Sequence, residues 1–273
     1  MGKMLEDRVA IITGSGRGIG RCAALMFAEA GAKVVVSDID AEPANETVAD
    51  IKKAGGTAIA YIGDVAKTGF AEGIVKAAVD TWGALHIIVN NAGYTWDSTI
   101  HKMTEEQWDA ILDIHLKAPF RIIKAAAPYF RDAAKKEQEQ GISIARKIVN
   151  ISSTSGVNGN PGQANYSSAK AGVVGLTKTI AREWGQFNVQ VNAVAYGWID
   201  TRLTQSIDTK ATIQIQGREV SVGIQESRRQ AMMQMIPLRR PGTPEEAASA
   251  IFFFASPLSN YVSGQCLLVT GGN

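Results

Sequence analysis

Short runs of apolar and β-branched residues alternate along the chain with longer segments in which apolar residues recur at helical spacing. Runs such as Val34–Val36 and Ile87–Val89 are continuously apolar, which is typical of strands that helices cover on both faces. This alternation predicts an α/β fold with a doubly wound, seven-stranded parallel sheet. The predicted strands are Val9–Thr13, Lys33–Asp38, Ala58–Gly63, Ile87–Asn90, Lys147–Ser152, Val189–Ala195 and Cys266–Thr270.

Two segments carry clear signals for the start of a helix. Residues 104–138 begin with a threonine and early acidic residues, and they continue as a long amphipathic stretch. Residues 243–255 begin with a threonine N-cap, a first-turn proline and two glutamates. Because no repeat or low-complexity linker interrupts the pattern, we predict one domain over residues 1–273.

Two other segments differ from plain connections. The polar segment Arg131–Lys147 is predicted to be a solvated helix end and loop. Residues 201–237 are long for a connection and include the alternating stretch Ile213–Val222, centred on Gly217, which predicts a small hairpin. A hairpin there would form a flap over a ligand crevice at the carboxyl ends of the strands.

The composition of the chain narrows the classes of partner. Its 273 residues are 45% hydrophobic and 20% charged, which excludes a disordered, collagen-like or coiled-coil protein. The net charge of +2 creates no field for nucleic acid or an anionic membrane, so a small-molecule partner is expected. No apolar run approaches the ~18 residues of a membrane span. Cys22 and Cys266 lie far apart in the sequence and outside any metal or CxxC spacing, which favours a cytoplasmic location.

A glycine-rich segment, TGSGRGIG at 13–20, follows the first predicted strand and leads into a helix. Its glycines let the chain turn sharply and bring backbone N–H groups close to a pyrophosphate, whose charge the helix N-terminus stabilises. The spacing differs from G-x-G-x-x-G, so the motif by itself leaves a simple tight turn open. The residues expected at the cofactor are Gly14, Ser15, Arg17, Gly18, Ile19 and Gly20.

Two carboxylates are candidates for the adenosine half of a dinucleotide. Asp38, followed by Ile39, closes the second strand, where a carboxylate can accept both ribose hydroxyls and repel a 2′-phosphate. Arg17 argues for the 2′-phosphate, but the carboxylate has the larger effect, so we expect NAD rather than NADP. Asp64, followed by Val65, ends the third strand and is expected to hold the adenine amino group or to cap the next helix.

Candidate catalytic groups gather at the same predicted edge. Tyr166 and Lys170 are one helical turn apart, so their side chains share a face, and a cation beside a phenol lowers its pKa from about 10. Such a tyrosine can exchange a proton with an alcohol or carbonyl oxygen. Ser152 and Ser153 end the fifth strand, and Asn90–Gly93 end the fourth, so both groups join the tyrosine at the carboxyl edge.

Together these motifs resemble the short-chain dehydrogenase/reductase family, in the branch with 3-oxoacyl-carrier-protein reductases and NAD-dependent alcohol dehydrogenases. The match extends through TGSGRGIG, NNAG, the Ser/Tyr/Lys set, NAVAYGWIDT and YVSGQCLLVTGG. The resemblance implies a Rossmann-type fold and hydride transfer between a nicotinamide and an alcohol or carbonyl carbon. It makes Tyr166 the acid/base, Lys170 the residue that lowers its pKa and binds the nicotinamide ribose, and Ser153 a hydrogen-bond partner of the substrate oxygen.

The resemblance also implies contacts for the rest of the cofactor and for the assembly. Asn91, Ala92 and Gly93 would line the cofactor, and Ile199 would reach the carboxamide through its backbone. Thr201 would support the pyrophosphate or the carboxamide. Members of the family commonly assemble through their long central helices and the last helix and strand, so we predict a homotetramer.

Two residues depart from the family pattern. His115 stands where the family has an asparagine, and it can either continue a proton relay from Lys170 to solvent or simply fill the space. Tyr196 replaces a proline, which predicts a less rigid backbone and leaves open whether its ring faces cofactor, substrate or solvent. His86 and His101 have no second ligand at metal spacing, so no metal site is expected.

Three functions stay open at this point. The first is an NAD-dependent oxidoreductase of a secondary alcohol or ketone, and the second is a 3-oxoacyl-ACP or 3-oxoacyl-CoA reductase. Because the family's reductases of fatty-acid synthesis generally use NADPH, Asp38 favours the first. The third is a non-catalytic NAD-binding scaffold or sensor. The intact Ser153, Tyr166 and Lys170 disfavour it.

Overall fold

The central sheet has seven strands, each parallel to its neighbours. In chain order the strands of the protein are β1 (Val9–Thr13), β2 (Lys33–Asp38), β3 (Thr57–Ile62), β4 (Ile87–Asn90), β5 (Arg146–Ser153), β6 (Val189–Tyr196), β7 (Thr212–Ile215), β8 (Arg218–Ser221) and β9 (Cys266–Val269). Their order in the sheet is β3-β2-β1-β4-β5-β6-β9. The predicted Rossmann-type α/β fold is confirmed. The order reverses between β1 and β4, which is where such sheets bind their ligands.

The structure is a computed structural model that describes residues 3–201, 204, 212–215, 218–221 and 226–273. Helices connect the strands. They are α1 (Gly18–Glu29), α2 (Ala41–Lys53), α3 (Phe70–Trp82), α4 (Glu105–Leu112), α5 (Ala118–Ala127), α6 (Ala133–Glu139), α7 (Thr154–Asn158), α8 (Ala164–Trp184), α9 (Glu226–Met235) and α10 (Pro244–Ala255). Among the described residues, no helix is both long and apolar enough to cross a bilayer.

Helices cover both faces of the sheet, as the apolar runs predicted. On one face, Phe27 of α1 and Phe254 of α10 are buried in a cluster with alternate residues of the strands. On the other face, Ile74 of α3 and Ile122 of α5 are buried with the remaining strand residues. Strand β4 is therefore buried at every position, and its carboxyl end is held in place from both sides.

The predicted long helix over 104–138 is continuous but contains two wider turns. Both Asp113–Lys117 and Pro128–Asp132 are π-helical, and they separate α4, α5 and α6. Such turns arise where the helical hydrogen-bond ladder is interrupted, and Pro119 and Pro128 lack the N–H that would continue it. His115 lies in the first wide turn and is buried.

The prediction that Arg131–Lys147 is solvated is wrong at its end. Arg146 is buried, and its guanidinium donates to both carboxylate oxygens of Glu137, at 2.6 and 2.9 Å. Lys147 is buried too; its ammonium donates to Ser259 Oγ at 3.2 Å, and burial lowers its pKa to about 8. Both residues begin β5, and the burial of this inner strand overrides their polarity.

The hairpin predicted around Ile213–Val222 is confirmed for its two strands. β7 and β8 pair antiparallel, with Thr212 opposite Ser221 and Ile215 opposite Arg218. Gly217, the predicted centre, lies outside the described residues. That the hairpin forms a flap over the crevice stays a prediction.

Candidate active site

The loop between β1 and α1 has a shape that only glycine allows at several positions. Gly14 and Gly18 have φ of 62° and 54°, the left-handed region. A Cβ on Gly20 would lie 2.1 Å from the Gly14 carbonyl oxygen, and one on Gly14 would lie 2.8 Å from Ala92 Cα. The loop therefore packs directly on the helix that follows it and on the segment after β4.

The start of α1 fits a phosphate. Arg17 is the N-cap residue, and its guanidinium, which has only donors, cannot satisfy the first-turn N–H groups of the helix. Thr201 lies next to this N-terminus, since its Cγ2 would be 3.9 Å from a Cβ built on Gly18, an ordinary van der Waals distance. The first-turn N–H groups, which no side chain caps, are suitable donors for an anion.

Ser15 and Asn91 support the loop from within. Ser15 is buried, and its hydroxyl donates to the Ile12 carbonyl at 2.7 Å. The Asn91 amide donates to the carbonyls of Thr13 and Gly14, each at 2.9 Å. These two predicted cofactor residues thus fix the loop with their side chains, while Ile19 packs against the core.

Asp38 lies at the end of β2, directly beside the glycine loop. Its Oδ2 accepts the Gly16 N–H at 3.0 Å, and its Oδ1 accepts the Asp40 N–H at 3.2 Å. Arg17 reaches Asp40, with 3.3 Å between Nη1 and Oδ2. The neighbouring Ile39 is exposed. The sequence analysis missed Asp40, because its partner is distant in the sequence and only the fold brings the two together.

Asp64 lies in the turn after β3, where its Oδ1 accepts the Ala66 N–H at 2.9 Å. The alternative that it caps the next helix is wrong, because α3 begins at Phe70 and has Gly69 as its N-cap residue. Val65 is buried in the same hydrophobic cluster as Phe70 and Ile74 of α3.

The segment after β6 is held to the start of α10. Ile199 is buried and pairs with Gly242 in a parallel bridge, while its carbonyl accepts the Thr204 hydroxyl at 2.7 Å. Thr201 donates its N–H to the same hydroxyl at 2.9 Å. Arg229 of α9 lies over the Trp198 ring, 5.1 Å from its centroid, so α9 is attached to this segment.

Three predicted catalytic side chains meet at the carboxyl edge of β5. Tyr166 and Lys170 lie on one face of α8, and the Lys170 ammonium is 5.5 Å from the centre of the Tyr166 ring. The Ser153 hydroxyl forms a hydrogen bond with the Tyr166 phenol. The Lys170 ammonium donates to the Ile151 carbonyl at 2.6 Å. Strand end and helix thus bring an acid, a cation and a hydroxyl together.

Burial sets the protonation of this group. It raises the pKa of Tyr166 to about 12, against the lowering effect of the Ser153 hydrogen bond, and it lowers the pKa of Lys170 to about 7. The prediction that Lys170 lowers the pKa of Tyr166 is therefore wrong for the protein without cofactor or substrate. Lys170 lies over the face of the ring and donates to Ile151, and burial removes part of its charge, so its effect on the phenol is small.

His115 is buried beside the same tyrosine. The two rings meet edge to face, with centroids 4.9 Å apart. His115 Nε2 is 2.7 Å from the Tyr94 carbonyl, which only accepts, so Nε2 carries the hydrogen. Its Nδ1 is buried with no hydrogen-bond partner among the described residues. Burial, and then the charge of Lys170, hold the His115 pKa well below its usual value, so the ring is neutral.

Tyr196 faces neither cofactor, substrate nor solvent, so all three orientations left open by the sequence are wrong. Its ring is buried, and its phenol donates to the Ala247 carbonyl of α10 at 2.6 Å. Its own carbonyl accepts the Ser153 hydroxyl at 3.4 Å. A hydrogen bond thus restrains the strand end, where the family's proline would fix φ.

One further polar residue at the site was missed by the sequence analysis. Asn165 is fully buried; its amide donates to the carbonyls of Gln107 and Trp96, at 3.0 and 3.2 Å, and its Oδ1 accepts the Tyr166 N–H. It therefore fixes the start of α8 on α4. An asparagine directly before the tyrosine was the available signal, but its partners cannot be read from spacing.

A doubly wound parallel sheet with a glycine-rich loop and a Ser/Tyr/Lys group at one edge is typical of oxidoreductases that use a nucleotide cofactor. The family model described as enoyl-(acyl carrier protein) reductase matches residues 14–273. The chain belongs to the short-chain dehydrogenase/reductase family, whose members act on CH–OH groups.

Relatives in three bacteria match over almost their whole length. The chain is 38% identical over 268 residues to the 3-oxoacyl-[acyl-carrier-protein] reductase FabG of Thermotoga maritima, covering 98% of each chain. It is 38% identical over 271 residues to the protein of the same name from Vibrio cholerae, again covering 98% of each. The 3-oxoacyl-[acyl-carrier-protein] reductase of Synechocystis is 38% identical over 270 residues, 98% of this chain and 97% of that protein.

Proposed function

We propose that the protein is an NAD(H)-dependent oxidoreductase that interconverts a secondary alcohol and a ketone. The observation that carries the proposal is the meeting of Ser153, Tyr166 and Lys170 at the sheet edge that also holds the glycine loop. The nicotinamide, when bound, supplies or accepts the hydride. The N–H groups at the start of α1, which no side chain caps, fit its pyrophosphate.

Tyr166 is the acid/base of the reaction. Its raised pKa keeps the phenol protonated at neutral pH, so in reduction it donates a proton to the ketone oxygen. Ser153 donates a hydrogen bond to the same oxygen and so favours the developing negative charge. When the proton leaves, the phenolate attracts the Lys170 ammonium, which is only 5.5 Å from the ring and then gains charge. Oxidation follows the same path in reverse.

His115 positions a water through which protons pass between this group and solvent. Its Nδ1 is a buried acceptor, and both the His115 ring and the Lys170 ammonium lie against the ring of Tyr166. A water that Lys170 contacts can therefore donate a hydrogen bond to Nδ1 and be held in place by it. Because Nε2–H stays bound to the Tyr94 carbonyl, the proton moves through this water and not through the ring.

Asp38 selects the cofactor. Backbone N–H groups on both sides hold its carboxylate at the end of β2, where it can accept the adenosine ribose hydroxyls and repel a 2′-phosphate. Asp38→Ala is expected to weaken discrimination against NADPH. An unchanged preference would mean that the carboxylate does not face the ribose.

The same proposal includes the organisation of the molecule. Residues 1–273 form one domain, and the hairpin of 201–237 is a flap that closes over the substrate. The protein acts in the cytoplasm as a homotetramer. Exposed Leu267 and Leu268 on β9, the last strand of the sheet, give apolar surface for a second copy.

A second candidate is the reduction of 3-oxoacyl thioesters. The names of the relatives from Thermotoga maritima and Vibrio cholerae favour it. It uses the same Ser153, Tyr166 and Lys170 and differs only in the substrate and in its expected use of NADPH.

Cofactor titration followed by a turnover screen tests both candidates. The purified protein is titrated with NADH and NADPH by fluorescence, and is then assayed with secondary alcohols, simple ketones and 3-oxoacyl-CoA thioesters. We expect tighter binding of NADH and turnover of an alcohol or ketone. Preference for NADPH with turnover of the thioesters would establish the second candidate instead. Cofactor binding without turnover of any compound would contradict both and support a non-catalytic scaffold.

A further inference from the structure

We infer that Asp40 is a second determinant of cofactor choice, which acts by holding Arg17 away from the position of a 2′-phosphate. The inference rests on the proposed use of NAD(H). Asp38 opposes the phosphate with its own charge, whereas Asp40 removes the one cation in the glycine loop that could bind it.

The start of α2 explains why the Asp40 carboxylate is available for this role. Asp40 is the N-cap residue of α2, and an aspartate there usually accepts the N–H of the second or third helical residue. The third residue is Pro43, which has no N–H to donate. The Asp40 carboxylate instead accepts a hydrogen bond from the guanidinium of Arg17 in the glycine loop, at 3.3 Å.

Asp38 fixes both members of this pair through their backbones. One of its oxygens accepts the N–H of Gly16, the residue before Arg17, and the other accepts the N–H of Asp40. A Cβ on Gly16 would lie only 2.8 Å from the Asp38 carboxylate, so the loop and the end of β2 are in direct contact. The pair is thus built into the predicted ribose site and is not an incidental surface contact.

The charges around the ribose then oppose a phosphate. Two carboxylates and one guanidinium carry a net charge of about −1 at neutral pH. The side chains of Arg17 and Asp40 are 44% and 51% exposed, so their attraction is screened and a dianionic phosphate can compete for the arginine. When the phosphate binds Arg17, the Asp40 carboxylate loses its partner and lies beside a second negative charge. The expected effect is therefore several-fold and smaller than that of Asp38.

The test compares the two cofactors with Asp40→Asn. Asparagine is as good an N-cap residue as aspartate, so α2 is retained. Removing one exposed charge at this range and releasing Arg17 is expected to tighten NADPH binding about three- to ten-fold. NADH binding should change by less than about two-fold. Binding is measured by fluorescence titration, and ADP-ribose and 2′-phospho-ADP-ribose are titrated as probes that lack the nicotinamide.

A matched control is Asp50→Asn. Asp50 forms an ion pair with Arg21, the next arginine along α1, and its removal changes the net charge of the protein by the same amount. If Asp40 acts locally, Asp50→Asn leaves the ratio of NADPH to NADH affinity unchanged within about two-fold. An equal shift in both variants would mean a general charge effect and would overturn the inference.

Arg17→Gln, alone and combined with Asp40→Asn, tests whether Asp40 acts through the arginine. In the Arg17→Gln background the benefit of Asp40→Asn for NADPH should fall to less than half of its value in the unaltered protein. An undiminished benefit, or no effect of Asp40→Asn in either background, would refute the role of Asp40. Failure of the unaltered protein to bind either cofactor would instead overturn the proposed function, and this inference with it.

Discussion

The imidazole of His115 occupies the space that a side chain on Gly93 would need. A Cβ built on Gly93 would lie 2.0 Å from His115 Cε1. Since the Tyr94 carbonyl accepts the hydrogen of the adjacent Nε2, the histidine and the loop after β4 fix each other's position next to Tyr166.

Gly93→Ala should therefore both destabilise the protein and reduce turnover. Overpacking a buried site typically costs about 1–3 kcal/mol in the free energy of unfolding. Chemical denaturation and kcat are the measurements. Gly175→Ala in α8 is the control, because its Cβ meets open space in the described structure and alanine favours a helix. Adding His115→Asn should restore part of the lost stability. If His115→Asn restores no stability, the loss in Gly93→Ala does not come from a clash with His115.

Tyr166→Phe removes the proton-transferring oxygen and keeps the ring that packs on His115. The expected result is a fall in kcat of about 10²–10⁴-fold with unchanged NADH binding, since only the acid/base is lost. Stopped-flow or steady-state turnover, with a parallel NADH titration, measures both. Tyr261→Phe is the control, because that side chain is fully exposed. Retention of most of the turnover would rule out Tyr166 as the acid/base.

Tyr196→Phe should weaken the connection between β6 and α10. It removes the bond to the Ala247 carbonyl, which is worth about 0.5–1.5 kcal/mol of stability. Because the Tyr196 carbonyl also accepts the Ser153 hydroxyl, we expect kcat to fall several-fold while the KM for NADH is unchanged. Loss of stability with an unaltered kcat would show that the bond supports the fold alone.

Acid should destabilise the protein through His86. Its Nδ1 accepts the Val9 N–H at 3.0 Å, and burial, followed by the charges of Arg8 and Arg146, lowers its pKa to about 4. The unfolded chain, with a histidine pKa near 6.5, therefore binds the proton more readily than the folded protein. Stability is complete above pH 6.5 and should decrease by up to about 3 kcal/mol as the pH falls to about 4.

Denaturation curves between pH 7 and 4 measure this loss. His86→Asn keeps an acceptor for the Val9 N–H and does not titrate, so its stability should depend less on pH over this range. His101→Asn, in the exposed loop after β4, should behave like the unaltered protein. Identical pH dependence of all three proteins would exclude His86 as the cause.

The strands were predictable because burial on both faces leaves a direct trace in the sequence. The observed bounds of β1, β2 and β4 are the predicted ones, because each of these strands contains a continuous apolar run. Helix α10 was equally clear, since Thr243 is its N-cap residue as predicted and forms a capping box with Glu246.

Contacts between distant segments were not predictable in this way. Arg146 is polar in sequence and buried in the fold, because Glu137 accepts hydrogen bonds from both of its Nη groups. The phenol of Tyr196 finds a carbonyl 51 residues away, and Arg17 finds Asp40 across 23 residues. The prediction of a lowered Tyr166 pKa was wrong for the same reason. The spacing shows that Lys170 is a neighbour, but only the fold shows how completely the phenol is buried, and burial raises its pKa.

The wider turn at Asp113–Lys117 also limits how this helix can change its length in evolution. A π turn contains one residue more than an α turn, and each residue of a helix advances the side chains by about 100°. Deleting one residue there would rotate everything that follows relative to α4, turning the buried Ile122 and Ile123 away from the sheet. The extra residue therefore sets the rotation of α5 relative to α4, so that the apolar faces of both helices point inward. An insertion or deletion in this turn is tolerable only if a second change in length restores that rotation.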